Sequence, residues 1–100
     1  MAAIEVANKG SLSGEELYSQ FLAGDEGAFT RVVEIYESGI STFIFDMVND
    51  YHEARHLTIE TFAMLAAGGN KLSRSKNSLK VCLFAIASSL ASNRKNLKIN

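Results

Sequence analysis

The stretch from Tyr51 to Ala66, YHEARHLTIETFAMLA, decides the fold of this chain. Its apolar and small residues recur every three or four positions, which is the spacing of one buried helix face. That face comprises Ala54, Leu57, Thr58, Thr61, Phe62 and Leu65. Asp50 can cap the first turn, with Glu53 at the spacing of a capping box. We expect the helix to end at Gly68 and Gly69, where left-handed backbone costs little.

The composition indicates one small domain of helices joined by short loops. The chain has 100 residues, 47% of them hydrophobic, and no proline. Residues 1–12 show weak periodicity and are expected to form a loose lead-in. A capping box, SGEE at 13–16, opens a first short helix that Gly24 closes. Asp25 then caps a second helix, whose apolar stripe continues over 29–47.

The second half of the chain completes the predicted architecture. Residues 67–78, AGGNKLSRSKNS, are expected to form a long loop, and loops of this size are often functional. Ser78 or Asn77 can cap a last helix, which has its apolar stripe over 79–90. The sequence therefore predicts an all-α, compact four-helix domain over residues 13–97.

Charge is distributed unevenly along the chain. Residues 1–60 contain three basic and eleven acidic residues, a net charge of −8. Residues 61–100 contain seven basic residues and no acid, a net charge of +7. Such an asymmetry suggests two different partners, one of which tolerates positive charge. A solvated surface with uneven charge is the alternative interpretation.

Cysteine and hydropathy patterns bound the compartment. Cys82 is the single cysteine, so no intramolecular disulfide can form, and its place in an apolar stripe predicts a small core residue. The N-terminus lacks the basic start and apolar run of a signal peptide. No stretch approaches the eighteen apolar residues of a membrane span. We expect no membrane partner and a cytoplasmic location.

The pentapeptide HEARH at 52–56 fits the zinc-protease pattern H-E-x-x-H. A third ligand is missing, because no histidine follows His56 and no acid follows Glu60. Glu60 is about 12 Å along the helix axis from His52 and cannot complete such a site. Glu53 also has a simpler role in capping. A zinc metallopeptidase is therefore a distant third hypothesis, after the two that are given below. We expect a non-enzymatic protein with no cofactor.

From Leu22 onward the chain resembles region 2 of the sigma-70 family, in its extracytoplasmic-function branch. Residues 24–29, GDEGAF, with Tyr36 after them, resemble the family's opening GDxxAFxxLxxxY. Residues 50–62 are similar to the block DPEDAEDLVQETF. Residues 79–94, LKVCLFAIASSLASNR, are similar to FRAWLYRIARNLAIDR. The three blocks agree with the family in order and spacing.

The resemblance implies two binding surfaces. In such domains the docking helix binds the β′ clamp helices of core RNA polymerase. The following loop and last helix recognise and melt the −10 promoter element by holding its non-template strand. The polymerase-binding candidates here are His56, Ile59, Glu60 and Ala63. The DNA-binding candidates are Lys71, Arg74, Lys76, Lys80, Phe84, Arg94 and Lys95. For the Phe84 ring, packing at the edge of the core is an equal alternative to base stacking.

The chain departs from the family pattern at several positions. The acidic pair before the leucine is replaced by Arg55 and His56, the glutamine by Ile59 and the tryptophan of the last helix by Cys82. Two arginines and an asparagine of the last block are replaced by alanine and serine. The alternative function is a degenerate sigma-like helical adaptor, which binds polymerase or an anti-sigma protein without opening DNA. A region 4 domain for the −35 element does not fit in 100 residues, so it would be supplied elsewhere or have been removed.

Overall fold

The computed structural model describes residues 12–73 and 78–99, with side-chain positions for 12–68 and 78–93. These residues form four helices: α1 (Gly14–Leu22), α2 (Glu26–Val48), α3 (Tyr51–Ser73) and α4 (Leu79–Ile99). The prediction of an all-α domain of four helices is confirmed. Of the predicted lead-in, the structure describes Leu12, which packs against the core. None of the helices in the described ranges has the length and hydropathy needed to cross a bilayer.

The first two helices begin where local sequence signals predict. The Ser13 hydroxyl accepts a hydrogen bond from the Glu16 N–H at 3.1 Å, and the Glu16 carboxylate accepts one from the Ser13 N–H at 2.9 Å. This reciprocal capping box lowers the pKa of the Glu16 carboxyl, chiefly through the bond from the Ser13 backbone. Gly24 ends the turn after α1 with a φ of +115°, which glycine adopts without strain. Asp25 Oδ1 then accepts from the Ala28 N–H at 3.3 Å.

The last two helices are also capped by the side chains before them. Asn49 is left-handed, with a φ of 55°, and this conformation lets two residues join α2 to α3. Asp50 Oδ1 accepts from the Glu53 N–H at 3.0 Å, so Asp50 caps α3 as predicted. Ser78 Oγ accepts from the Val81 N–H at 3.2 Å and so caps α4.

Helix α2 lies at the centre of the domain and packs against the other three helices. The predicted face of α3 is buried over its whole length: Ala54, Leu57, Thr58, Thr61, Phe62 and Leu65. The two threonine hydroxyls donate at 2.7 Å to backbone carbonyls one turn earlier, so burial leaves no polar group unsatisfied there. The α3 face shares one core with Ile44 of α2 and Leu83 of α4.

One predicted boundary is wrong. Helix α3 does not end at Gly68 and Gly69 but continues through them to Ser73. Each glycine costs about 1 kcal/mol relative to alanine inside a helix, yet glycine accepts right-handed backbone as well as left-handed. The predicted loop over 67–78 is therefore wrong as far as residue 73, so Lys71 lies on a helix. Residues 74–77 of that segment lie outside the described residues, and Ser78 precedes α4.

Candidate functional site

The four candidate polymerase-binding residues lie together on the side of α3 that faces away from the core. Ile59 is 63% exposed, the His56 side chain is 64% exposed and the Glu60 side chain 44%. Ala63 is exposed one turn further on. We call this row the docking strip: His56, Ile59, Glu60 and Ala63. Its role in binding polymerase stays a prediction.

The docking strip combines one apolar side chain, Ile59, with a histidine–glutamate pair that is ionic only when the imidazole is protonated. His56 Nε2 lies 4.0 Å from Glu60 Oε1, at the i, i+4 spacing of helix pairs. An exposed pair of this kind contributes about 0.3–0.5 kcal/mol at most, because water screens it. Glu60 is therefore free to exchange His56 for a stronger base on a partner, while Ile59 can bury apolar surface beside it.

A groove between α2 and α3 borders the docking strip, and sequence reasoning missed it. Its volume is about 620 Å³. Phe45 and Tyr51 form one end, with ring centroids 6.3 Å apart at an angle of 64°. Both side chains are exposed although they are large and aromatic, at 40% and 76%. Phe45 lies off the apolar spacing of α2, and that was the signal available in the sequence, whereas Tyr51 continues the apolar spacing of α3 and gave no such signal.

The structure describes two side chains among the DNA-binding candidates. Lys80 is exposed in the first turn of α4. Phe84, one turn later, is half-buried, and its ring lies edge-on to Phe43 with the centroids 5.1 Å apart. Its Cζ would also be 3.8 Å from a Cβ added at Gly39, so the ring packs closely over α2. The structure does not describe the side chains of Lys71, Arg74, Lys76, Arg94 and Lys95.

Over its described side chains, residues 79–93, the outer face of α4 carries few groups that bind nucleic acid. Beyond Lys80, its exposed positions as far as residue 93 are Val81, Ala85, Ser89 and Asn93. Cys82 is buried, with 8% of its surface exposed, so the prediction of a small core residue is confirmed. Burial, and to a lesser extent Cys82, raises the pKa of the neighbouring Tyr18 hydroxyl.

Helix α1 holds the start of α4 in place through a contact that sequence reasoning also missed. Glu15 Oε2 accepts a hydrogen bond of 3.0 Å from the N–H of Leu79, the first residue of α4. Tyr36 of α2 lies beside this contact: its pKa is raised by burial and then by the Glu15 carboxylate. Because Glu15 and Leu79 are 64 residues apart, no local pattern could have predicted their contact.

The zinc-protease pattern forms no visible metal centre in the described part of the chain. His52 is exposed in the first turn of α3, and Glu53 donates its N–H to the capping Asp50. Within the described residues there is no group of three or more histidine, cysteine or acidic side chains placed to hold a metal ion.

The fold is an all-α domain of four helices, with exposed side chains on the described outer faces of α3 and α4. Comparison of the chain with protein-family models, with curated proteins and with solved structures gives no match. The likeness to sigma region 2 therefore rests on the three sequence blocks described above.

Proposed function

We propose that this chain acts as a sigma factor region 2 domain. It binds the β′ clamp helices of core RNA polymerase and recognises and melts the −10 promoter element to start transcription. The observation that carries the proposal is the docking strip. The candidates drawn from the resemblance occupy one exposed face of α3, while the buried residues between them form the core. Such a division is what a helix needs to bind a partner without unfolding.

Polymerase binding combines apolar and charged contacts on the docking strip. Ile59 supplies apolar surface that would leave water on contact with a clamp helix. Glu60 is the one acid of the strip and meets a basic residue of the partner. The family's other acids are replaced here by Arg55 and His56, so binding to this polymerase face depends more on apolar contact than on charge.

DNA binding falls to residues 61–100, the basic half of the chain. All seven charged residues after Glu60 are basic, and they occur from the end of α3 onward. Phosphates of the displaced strand are held by such a surface with little dependence on sequence. This activity is not enzymatic, needs no cofactor and belongs in the cytoplasm, where polymerase is found.

A specific observation favours the alternative of an adaptor that binds polymerase or an anti-sigma protein without opening DNA. The Phe84 ring packs on Phe43, and the described outer face of α4 carries Lys80 as its only base and no further aromatic side chain. Stacking on unpaired bases needs an exposed ring. A domain whose α4 supplies none would hold polymerase but not the melted strand.

Retention of core polymerase by the immobilised chain, with and without promoter DNA, tests the proposal. Glu60→Arg should reduce retention several-fold, because it replaces attraction to a basic clamp helix by repulsion. Glu34→Arg makes the same change at an exposed position of α2 and should leave retention unaltered.

The outcomes separate the hypotheses. Retention of polymerase and promoter DNA together supports the sigma function, whereas retention of polymerase alone supports the adaptor. Unchanged binding by a folded Glu60→Arg variant would remove the docking strip from the interface. Stoichiometric zinc in the purified protein would instead favour the peptidase.

A further inference from the structure

The groove between α2 and α3 has a volume of about 620 Å³ and is bordered by large apolar side chains that are exposed to solvent. Phe45, Tyr51 and Ile59 border it and stay 40%, 76% and 63% exposed, so a large part of their apolar surface is left in contact with water in the described domain. Small side chains line the space between them: Ser38, Ser41, Thr42, Ala54 and Thr58. Small residues along the groove let the side-chain ridge of a third helix approach the two packed helices closely.

Two opposite charges give the groove a direction. Arg55 lies on the α3 wall and Glu37 on the α2 wall. No ion pair of either side chain occurs within the described part of the chain. Arg55 is four residues beyond Tyr51, about 6 Å along the axis, and Glu37 is eight residues before Phe45, about 12 Å. Because the two aromatic rings meet at one end, the groove presents an aromatic pair, a positive charge and a negative charge in that order.

We propose that this groove binds an amphipathic helix of a partner protein. An apolar side chain of that helix rests on Phe45 and Tyr51. An acidic side chain one turn on reaches Arg55, and a basic side chain after a second turn reaches Glu37. Two helical turns span about 11 Å, which matches the distance between the two ends. The inference goes beyond the proposed function, because it adds a second protein contact beside the docking strip.

Two designed peptides provide the test. Each is an alanine-rich helix of about eighteen residues, because shorter isolated helices are marginal in water. The matched peptide carries leucine, glutamate and lysine at positions i, i+4 and i+8, and the exchanged peptide has glutamate and lysine interchanged. We expect the full chain to bind the matched peptide about tenfold more tightly in fluorescence anisotropy, since one order attracts at both ends and the other repels.

Variants of the groove make the assignment falsifiable. Thr42→Trp fills the groove from an exposed position and should abolish binding of the matched peptide, whereas Thr30→Trp, exposed on α2 outside the groove, should not. The double variant Glu37→Arg with Arg55→Glu should reverse the preference between the two peptides. Circular dichroism checks that each variant keeps its helices.

Several results would overturn the inference. These are equal affinity for both peptides, binding that Thr42→Trp leaves unchanged, or self-association of the chain that Thr42→Trp abolishes without any peptide binding. The polymerase assay separates this inference from the proposed function, because Thr42→Trp lies outside the docking strip and should still retain polymerase. Peptide binding by a chain that fails to bind polymerase would support the groove and refute the sigma function.

Discussion

Removal of the Glu15 carboxylate should lower the free energy of unfolding by loosening the start of α4. The carboxylate satisfies the Leu79 N–H, which has no partner within its own helix, at 3.0 Å. A hydrogen bond to a charged group is worth about 1.5–3 kcal/mol, and a charge near a helix N-terminus about 0.3–1 kcal/mol. Glu15 is exposed, so water screens both effects. We expect Glu15→Ala to cost about 1–1.5 kcal/mol.

Urea titration followed by circular dichroism measures this cost. Glu15→Gln keeps an acceptor for the Leu79 N–H but loses the charge, so it should cost about half as much. Glu34→Ala removes an exposed acid from α2 and should change stability by less than about 0.5 kcal/mol. If Glu15→Ala is no more destabilising than Glu34→Ala, the contact between α1 and α4 does not stabilise the fold.

Phe62→Ala should lower the free energy of unfolding by about 3–5 kcal/mol, because only 5% of the Phe62 surface is exposed. Ile59→Ala, on the outer face of the same helix, should lower it by less than about 0.5 kcal/mol. A loss below about 1 kcal/mol for Phe62→Ala in denaturant titration would contradict its place in the core. Burial raises the pKa of the Tyr18 hydroxyl, so its contribution to stability is complete below the unfolded pKa of about 10 and is lost as the pH rises through the folded pKa. Tyr18→Phe should therefore make the loss of stability at alkaline pH less steep. At neutral pH it should cost about 1 kcal/mol of unfolding free energy, because the 2.9 Å hydrogen bond to the buried Leu65 carbonyl is lost. An unchanged alkaline transition would refute this role. If two to four phosphates are neutralised, the affinity of the polymerase-bound chain for single-stranded promoter DNA should fall with salt with a logarithmic slope of about −1.4 to −2.8. Removing Lys71 and Arg74 should flatten that slope, and a double variant with the original slope would mean that the basic half faces another partner.

Local signals predicted the helix starts because capping is itself local. The side chains of Ser13, Asp25, Asp50 and Ser78 each accept a hydrogen bond from a backbone N–H three residues later. Their partners are thus fixed by sequence spacing and by the backbone of one turn. The same reasoning holds for the buried face of α3, since a period of 3.6 residues determines which side chains share a face.

Features that depend on contacts between helices could not be predicted in this way. Glu15 meets Leu79 and Tyr18 meets the carbonyl of Leu65 only because four helices pack together, and these pairs are 64 and 47 residues apart. The prediction of where α3 ends was wrong for a related reason. Gly68 permits a helix to stop but does not require it, and the choice depends on the surroundings of the helix.

The departures from the sigma pattern separate into two physical kinds once the fold is known. Cys82 is buried, so a cysteine where the sigma pattern has a tryptophan affects the volume of the core and not an exposed face. His56 and Ile59 are exposed on the docking strip, and Arg55 is exposed on the wall of the groove. Side chains there contribute little to folding but determine which partner surface is attracted. The altered residues of α3 therefore lie where a partner can reach them, and a change in their charge or polarity leaves the core intact.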